Sequence, residues 1–297
     1  MCWILKKNYK NMLGEVEKEL QKHVISSNVP EKRLNESVEY SLMAGGKRLR
    51  PVLMLTTYKL FKDDYEVCFP FAVAMEMIHN FSLIHDDLPG IDNDDIRHGK
   101  PTNHKKYGEA TAILAGDTLL NYAYIVISRE LSNNSKLSVE SKLQAFSVFT
   151  NAVDRMIAGE YVDTYLEGKE ISNEQLEYIH NNKTAALIKA SIKIGAILAG
   201  ASEEDVEKLS NYADKIGLSF QVKDDILSEE GDEKVFGKPI GNDKEKNKCT
   251  YVTKYGLEEA KKVLSNLTEE AVDLISTYGE KAEFLKELAI YFEKRNK

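Results

Sequence analysis

The sequence predicts an all-α protein, a layered bundle of long helices around a central cavity. Apolar residues recur at helical spacing over long stretches, and no convincing period-two strand alternation appears. Only six prolines occur in 297 residues. Such scarcity suits long helices, because a proline inside a helix costs about 3 kcal/mol.

Residues 67–85 are apolar nearly all round, with Phe71, Met75, Ile78 and Leu83 at helical spacing. That pattern marks a buried helix. Residues 110–131 read the same way, with Ala112, Ala115, Leu119 and Ala123 as packing positions. Further long helices are expected over 143–165, 173–198 and 203–226. Gly200 is placed to end one of them, and Ser202 to cap the next. The amphipathic, charged tail 257–295 reads as an outer helical layer. Loops are expected at 89–103, 132–135 and 231–247. No low-complexity linker or short repeat divides the chain, so a single domain over 1–297 is expected.

Composition narrows the function classes. With 42% hydrophobic and 30% charged residues, the chain is neither disordered nor fibrous. A net charge of −8 gives no overall attraction for nucleic acid or anionic lipid. An anionic ligand must therefore be held by local cations or by metal. The cysteines, Cys2, Cys68 and Cys249, are odd in number and scattered, which excludes a disulfide framework and fits a reduced, cytoplasmic setting. Uncharged runs fall short of the about 20 apolar residues of a membrane span, so no transmembrane segment is expected.

The most informative stretch runs from His85-Asp86-Asp87 through Asp92-Asn93-Asp94-Asp95 to Arg97-His98-Gly99-Lys100-Pro101. Asp86 and Asp87 close a buried helix, where the helix dipole already disfavours anions. A divalent metal is the simplest compensation, and hard oxygen ligands select Mg2+. On a straight helix Asp92 would lie about 120° from Asp86. Pro89 and Gly90 intervene, however, and let the chain bulge and return Asp92 to the same side. A solvated acidic loop is the plain alternative. A second cluster argues against it: Phe220-Gln221-Val222-Lys223-Asp224-Asp225 again closes an apolar helical run with paired aspartates. Two such pairs read as opposed carboxylate walls around a metal–phosphate cluster.

Cations follow the same logic. Gly45-Gly46-Lys47-Arg48-Leu49-Arg50-Pro51 joins flexible backbone to three positive side chains, a pattern suited to phosphate. Arg97 and Lys100 follow the first acidic cluster. Lys183-Thr184 and Lys238 are isolated, and surface exposure is the default for such lysines. His79 lies seven residues before Asp86 and shares its helix face. A core histidine and a ligand-binding one both fit there.

At these residues the sequence resembles the trans-isoprenyl diphosphate synthase (polyprenyl synthetase) family. Gly45–Pro51, Asp86–Asp92, Lys183-Thr184, Phe220–Asp225 with Gly237-Lys238-Pro239, and Lys248 with Thr250-Tyr251 stand in family order. The four residues between Asp87 and Asp92 match the bacterial farnesyl diphosphate synthase type, as does Phe81, five positions before Asp86. The resemblance implies the isoprenoid synthase fold, a homodimer and three Mg2+ ions bridging an allylic diphosphate to the aspartates. Asp86, Asp87, Asp92, Asp224 and Asp225 are the metal candidates. Arg97, Lys183, Thr184, Gln221 and Lys238 would meet the allylic diphosphate. Gly46, Lys47, Arg50, His79 and His98 would hold isopentenyl diphosphate. Phe81, with the small Ser82 beside it, would limit chain length.

Two positions depart from the family pattern. His98 stands where a second arginine is usual, and Ser228 where a third aspartate is usual. Histidine carries only part-time charge near neutral pH. The expected activity is head-to-tail condensation of isopentenyl diphosphate with dimethylallyl and geranyl diphosphate, giving farnesyl diphosphate. A geranylgeranyl diphosphate synthase and a non-catalytic synthase-like subunit are the alternatives.

Overall fold

The computed structural model describes residues 3–23, 30–230 and 250–295. The all-helical expectation is borne out. Among these residues the helices run α1 Trp3–Lys22, α2 Lys32–Leu42, α3 Leu49–Tyr58, α4 Phe69–Asp86 and α5 Asn103–Tyr107. They continue as α6 Glu109–Asn133, α7 Val139–Leu166, α8 Asn173–Ile179, α9 Ala185–Leu198 and α10 Glu203–Glu230. The last are α11 Tyr251–Tyr255, α12 Leu257–Ile275 and α13 Glu283–Lys294.

The expected packing residues form the core, except Leu83, which is only partly buried. Phe71, Met75 and Ile78 of α4, and Ala112, Ala115, Leu119 and Ala123 of α6, are fully buried. One apolar cluster joins α1, α3, α4, α6, α7 and α9. A second joins α3 and α9 to α10, α12 and α13. A third, around Leu176, Val222, Ile226 and Leu264, packs α8, α10, α11 and α12. Helices α3 and α9 therefore sit between two layers and bury almost every side chain. The tail does form the outer layer, with Leu285, Leu288 and Phe292 turned inward.

Several boundaries differ from expectation, each for a physical reason. The run 173–198 is one helical stretch interrupted by a π turn, His180–Thr184. The 89–103 loop contains a short antiparallel pair, Ile96–Arg97 with Lys100–Pro101. His98 and Gly99 turn it with φ of 52° and 74°, as a tight hairpin requires. Strands of two residues are too short to display an alternating pattern. Helix α6 extends into the expected 132–135 loop. Helix α10 continues to Glu230, so Asp224 and Asp225 lie inside a helix rather than at its end. Ile226 and Leu227 are buried and no helix breaker follows until Gly231. The expected loop 231–247 lies outside the described residues.

Two helices have the length and apolarity of a membrane span, 65–86 and 109–133, more than the uncharged runs alone had indicated. The first is 72% buried within the protein, so its apolarity is that of a core helix. Helix α6 is less covered and exposes Ile113 and Leu114.

Candidate active site

Helix α4 ends at Asp86, and Asp87 caps it. Pro89 and Gly90 then turn the chain so that the Asp92 backbone N–H donates to the Asp86 carbonyl at 2.9 Å. The bulge expected from the sequence is thus closed by a specific hydrogen bond, and Asp92 returns to the end of α4. Helix α10 carries Gln221, Asp224 and Asp225.

Lys183 and Thr184 connect the two sides. The Lys183 ammonium lies 2.7 Å from Asp163, 3.0 Å from Glu160 and 3.5 Å from Asp86. The Thr184 hydroxyl donates to Gln221 Oε1 at 3.2 Å. Adjacent residues can reach in both directions because the π turn widens the backbone here. Burial alone would lower the Lys183 pKa, but Asp86, Asp163 and Glu160 outweigh it and hold the ammonium charged.

Arg97 forks across the first pair. Its Nε meets both Asp87 oxygens at 2.7 and 2.9 Å, and Nη2 meets Asp86 at 3.0 Å. Burial pushes the Asp87 carboxyl up to about 6 despite Arg97. Burial likewise raises Glu160 to about 7, against the pull of Lys183.

The second aspartates differ from each other. Asp224 is partly exposed and paired with Arg295 Nη2 at 2.6 Å. Asp225 is buried. Its oxygens accept from Gln221 Nε2 at 3.2 Å and from the Tyr251 backbone N–H at 2.8 Å. Asp225 therefore ties α10 to α11, while Asp224 meets the buried Arg295 beyond α13. Ser228 follows Asp224 by one helical turn.

A second cationic group lies beside the first wall. Gly45 and Gly46 adopt φ of 93° and 121°, which only glycine does without strain. This turn leaves Lys47 exposed and Arg50 partly buried. Arg50 Nε is buried without a hydrogen-bond partner, and burial lowers the guanidinium pKa to about 10. His79 on α4 is held neutral, first by burial and then by Arg50, Arg97, Arg48 and His98. His98 packs against Gly46, close enough that a Cβ there would meet its ring at 3.4 Å. Phe81, between His79 and Asp86 on α4, is buried with its ring edge-on to His85, 4.9 Å between centroids. The Ser82 hydroxyl donates to the His79 carbonyl, so it is occupied locally. Lys238 lies outside the described residues.

The donor set fits magnesium. Among the described residues no three carboxylate, histidine or cysteine side chains converge as a protein cage. Magnesium does not need one, since it takes one or two carboxylates and completes its octahedron with water and phosphate oxygens. Asp86, Asp92 and Asp224 are oxygen donors of the kind magnesium takes; Arg97 and Lys183 pair with Asp86, and Arg295 with Asp224.

Sequence reading missed four contributors. Glu160 and Asp163 anchor Lys183 from α7, Arg295 meets Asp224 from beyond α13, and Glu76 is a buried carboxylate on α4. A Glu-x-x-Asp spacing on a helix was visible for the first two. Nothing local marks the others, because their partners are remote in sequence.

Comparison with known proteins identifies the family. The polyprenyl synthetase family matches residues 31–287. A farnesyl diphosphate synthase of Geobacillus stearothermophilus is 45% identical over 80% of both chains. A geranylgeranyl diphosphate synthase of Cyanophora paradoxa is 42% identical over 94% of both. The crystal structure of a geranyltransferase from Helicobacter pylori, complexed with magnesium and isoprenyl diphosphate, is 30% identical with a TM-score of 0.83. The alignment covers 98% of this chain and 97% of that one. The chain is a prenyltransferase of the polyprenyl synthetase family.

Proposed function

We propose that this enzyme condenses isopentenyl diphosphate with dimethylallyl and then geranyl diphosphate to give farnesyl diphosphate, using magnesium. The observation that carries this reading is the second cationic group. Arg50 and His98 stand around the neutral His79 on α4, and His98 packs against Gly46 of the loop that carries Lys47; Arg97 joins this group to the first aspartate wall. One diphosphate needs only the walls, whereas two diphosphates need both groups. A cyclase or a phosphohydrolase would leave the buried Arg50 guanidinium without a use.

The residues divide the work by position. Asp86, Asp87, Asp92 and Asp224 would hold magnesium, three ions by family resemblance, and the buried Asp225 would orient Gln221 and α11. Bound magnesium would supply Lewis-acid stabilisation of the departing diphosphate. Arg97 and Lys183, held in place by their carboxylate partners, would meet that charge as it develops with little reorganisation at the moment of ionisation. Lys238 would join them. The Thr184 and Gln221 oxygens would face the allylic cation. Lys47, Arg50, Gly46, His79 and His98 would hold isopentenyl diphosphate with its double bond toward carbon 1, a positioning effect. The released diphosphate would take the final proton.

Phe81 would set the product length. It lies more than a helical turn below Asp86, and its ring is braced by His85. Similarity to a geranylgeranyl diphosphate synthase favours a longer product as the second reading. The exposed apolar side chains of α6 and α7, Ile113, Leu114, Leu143 and Ile157, offer a face for the homodimer. The scattered cysteines fit a cytoplasmic setting.

The test is an assay with geranyl diphosphate, labelled isopentenyl diphosphate and magnesium, with an EDTA control. A magnesium-dependent fifteen-carbon product is expected. A twenty-carbon product would keep the chemistry and move the length limit away from Phe81. No product would overturn the reading in favour of a non-catalytic subunit.

A further inference from the structure

Of the three cations in the glycine loop, Arg48 cannot meet a ligand. Its side chain is 1% exposed and every nitrogen is engaged. Nε donates to Glu17 at 2.7 Å, Nη1 to Glu76 at 2.9 Å, and Nη2 to the Leu42 carbonyl at 2.6 Å. Its backbone is left-handed, φ 44°, a conformation that costs a non-glycine residue roughly 1–2 kcal/mol. The shape of the loop at Arg48 is therefore imposed by its partners rather than by local preference.

Those partners come from two helices. Glu76 is on α4, the helix that carries His79 and Asp86, and it also receives Asn80 Nδ2 on its carbonyl. Glu17 is on α1, far from the expected motifs. Helix α1 touches the loop a second time, where the Tyr9 hydroxyl donates to the Lys47 carbonyl. The Tyr9 ring is in turn stacked on Phe284 of α13, 6.3 Å between centroids and 9° between planes. The two α1 contacts bracket the loop, one on the Arg48 side chain and one on the Lys47 backbone. Between and beyond them stand Lys47, which is exposed, and Arg50, which is partly buried.

We infer that Glu17 and Tyr9 of the N-terminal helix are positioning residues. By gripping Arg48 and the Lys47 carbonyl, they hold the glycine loop in the shape that presents Lys47 and Arg50 to isopentenyl diphosphate. This assignment rests on the function proposed above. It gives α1 a role in binding one of the two substrates and no role in binding the other. The allylic end of the site is built from α4, α7, α10 and the π turn; the Glu17 and Tyr9 hydrogen bonds named here go to the loop, and Glu17 reaches α4 only through Arg48 and Glu76.

Glu17→Gln is the cleaner probe. It leaves the buried Arg48–Glu76 pair intact, whereas removing Arg48 would strand Glu76 as an unpaired buried charge. Tyr9→Phe removes only the hydroxyl. For each variant, KM for isopentenyl diphosphate should rise about tenfold, the loss of about 1.4 kcal/mol, with kcat and KM for geranyl diphosphate held within about twofold. Amide hydrogen exchange at Gly45–Arg50 should quicken, while exchange in α4 and α10 stays as in the parent. Equal rises in both KM values, or a fall in kcat alone, would overturn the assignment and leave α1 a general structural element. Unchanged exchange at the loop would overturn it as well. If the parent chain formed no prenyl product, the proposed function would fail. The exchange measurement would still decide whether Glu17 and Tyr9 hold the loop.

Discussion

Gly159 on α7 passes Lys183 so closely that a Cβ at Gly159 would lie 2.3 Å from the Lys183 backbone nitrogen. The approach brings Glu160 and Asp163 against the Lys183 ammonium. Gly159→Ala must therefore push the π turn away from α7. Overpacking of this kind costs about 1–3 kcal/mol. A lowered melting temperature with the helical content retained is expected. Lys183 would lose its alignment with Asp86, and kcat should fall at least about tenfold, since misplacement of a fixed charge by 1 Å can cost a hundredfold. Parent-like kcat in a folded Gly159→Ala variant would show that Lys183 can do without this packing.

Asp86 is the carboxylate on which Arg97 and Lys183 converge. Asp86→Asn keeps the shape and removes the charge. Asp86 would act through the magnesium it holds, and loss of that charge stabilisation is expected to cost about a hundred- to a thousandfold in kcat. Mn2+ binding followed by electron paramagnetic resonance should weaken in parallel. Near-normal turnover would refute the two-wall arrangement.

Phe81 is 7% exposed and rests on His85. Phe81→Ala should shift the product from fifteen carbons to twenty or more, read by chromatography. It should also cost about 3–5 kcal/mol of stability, as truncation of a buried phenylalanine does. The milder Phe81→Leu should give a mixture. A fifteen-carbon product from both variants would mean that another side chain forms the floor.

His180 is 7% exposed and its Nε2 has no hydrogen-bond partner. Burial lowers its pKa to about 4, against a raising influence from Asp163. The folded state thus keeps His180 neutral where the unfolded chain, near 6.5, would take up a proton. The unfolded state binds more protons between those values, so stability is full above about pH 6.5 and falls as pH drops toward 4. The slope from this group approaches about 1.4 kcal/mol per pH unit. Urea unfolding at pH 7 and pH 5 should show a smaller difference for His180→Gln than for the parent. Equal differences would assign the acid lability to other groups.

The sequence by itself determined the helical class, the buried helix over 67–85, and the identity of the two aspartate pairs; it also read 110–131 as buried, although α6 covers only one face and leaves Ile113 and Leu114 exposed. These are local properties: periodicity, scarcity of proline, and like charges set beside apolar runs. It also placed the bulge at Pro89-Gly90, because a proline and a glycine dictate the backbone wherever they stand. Tertiary structure alone decided what each charged side chain does. Arg48 and Arg50 are two residues apart and chemically identical, yet Glu17 and Glu76 claim the first while the second keeps an unpartnered nitrogen. Asp224 and Asp225 are neighbours, yet one meets Arg295 and the other is sealed against Tyr251. Lys183 reads as an isolated surface lysine until α7 brings Glu160 and Asp163 beside it. The energy of a charge depends on its burial and on partners that the chain supplies from far away, and neither is encoded in the residues next to it.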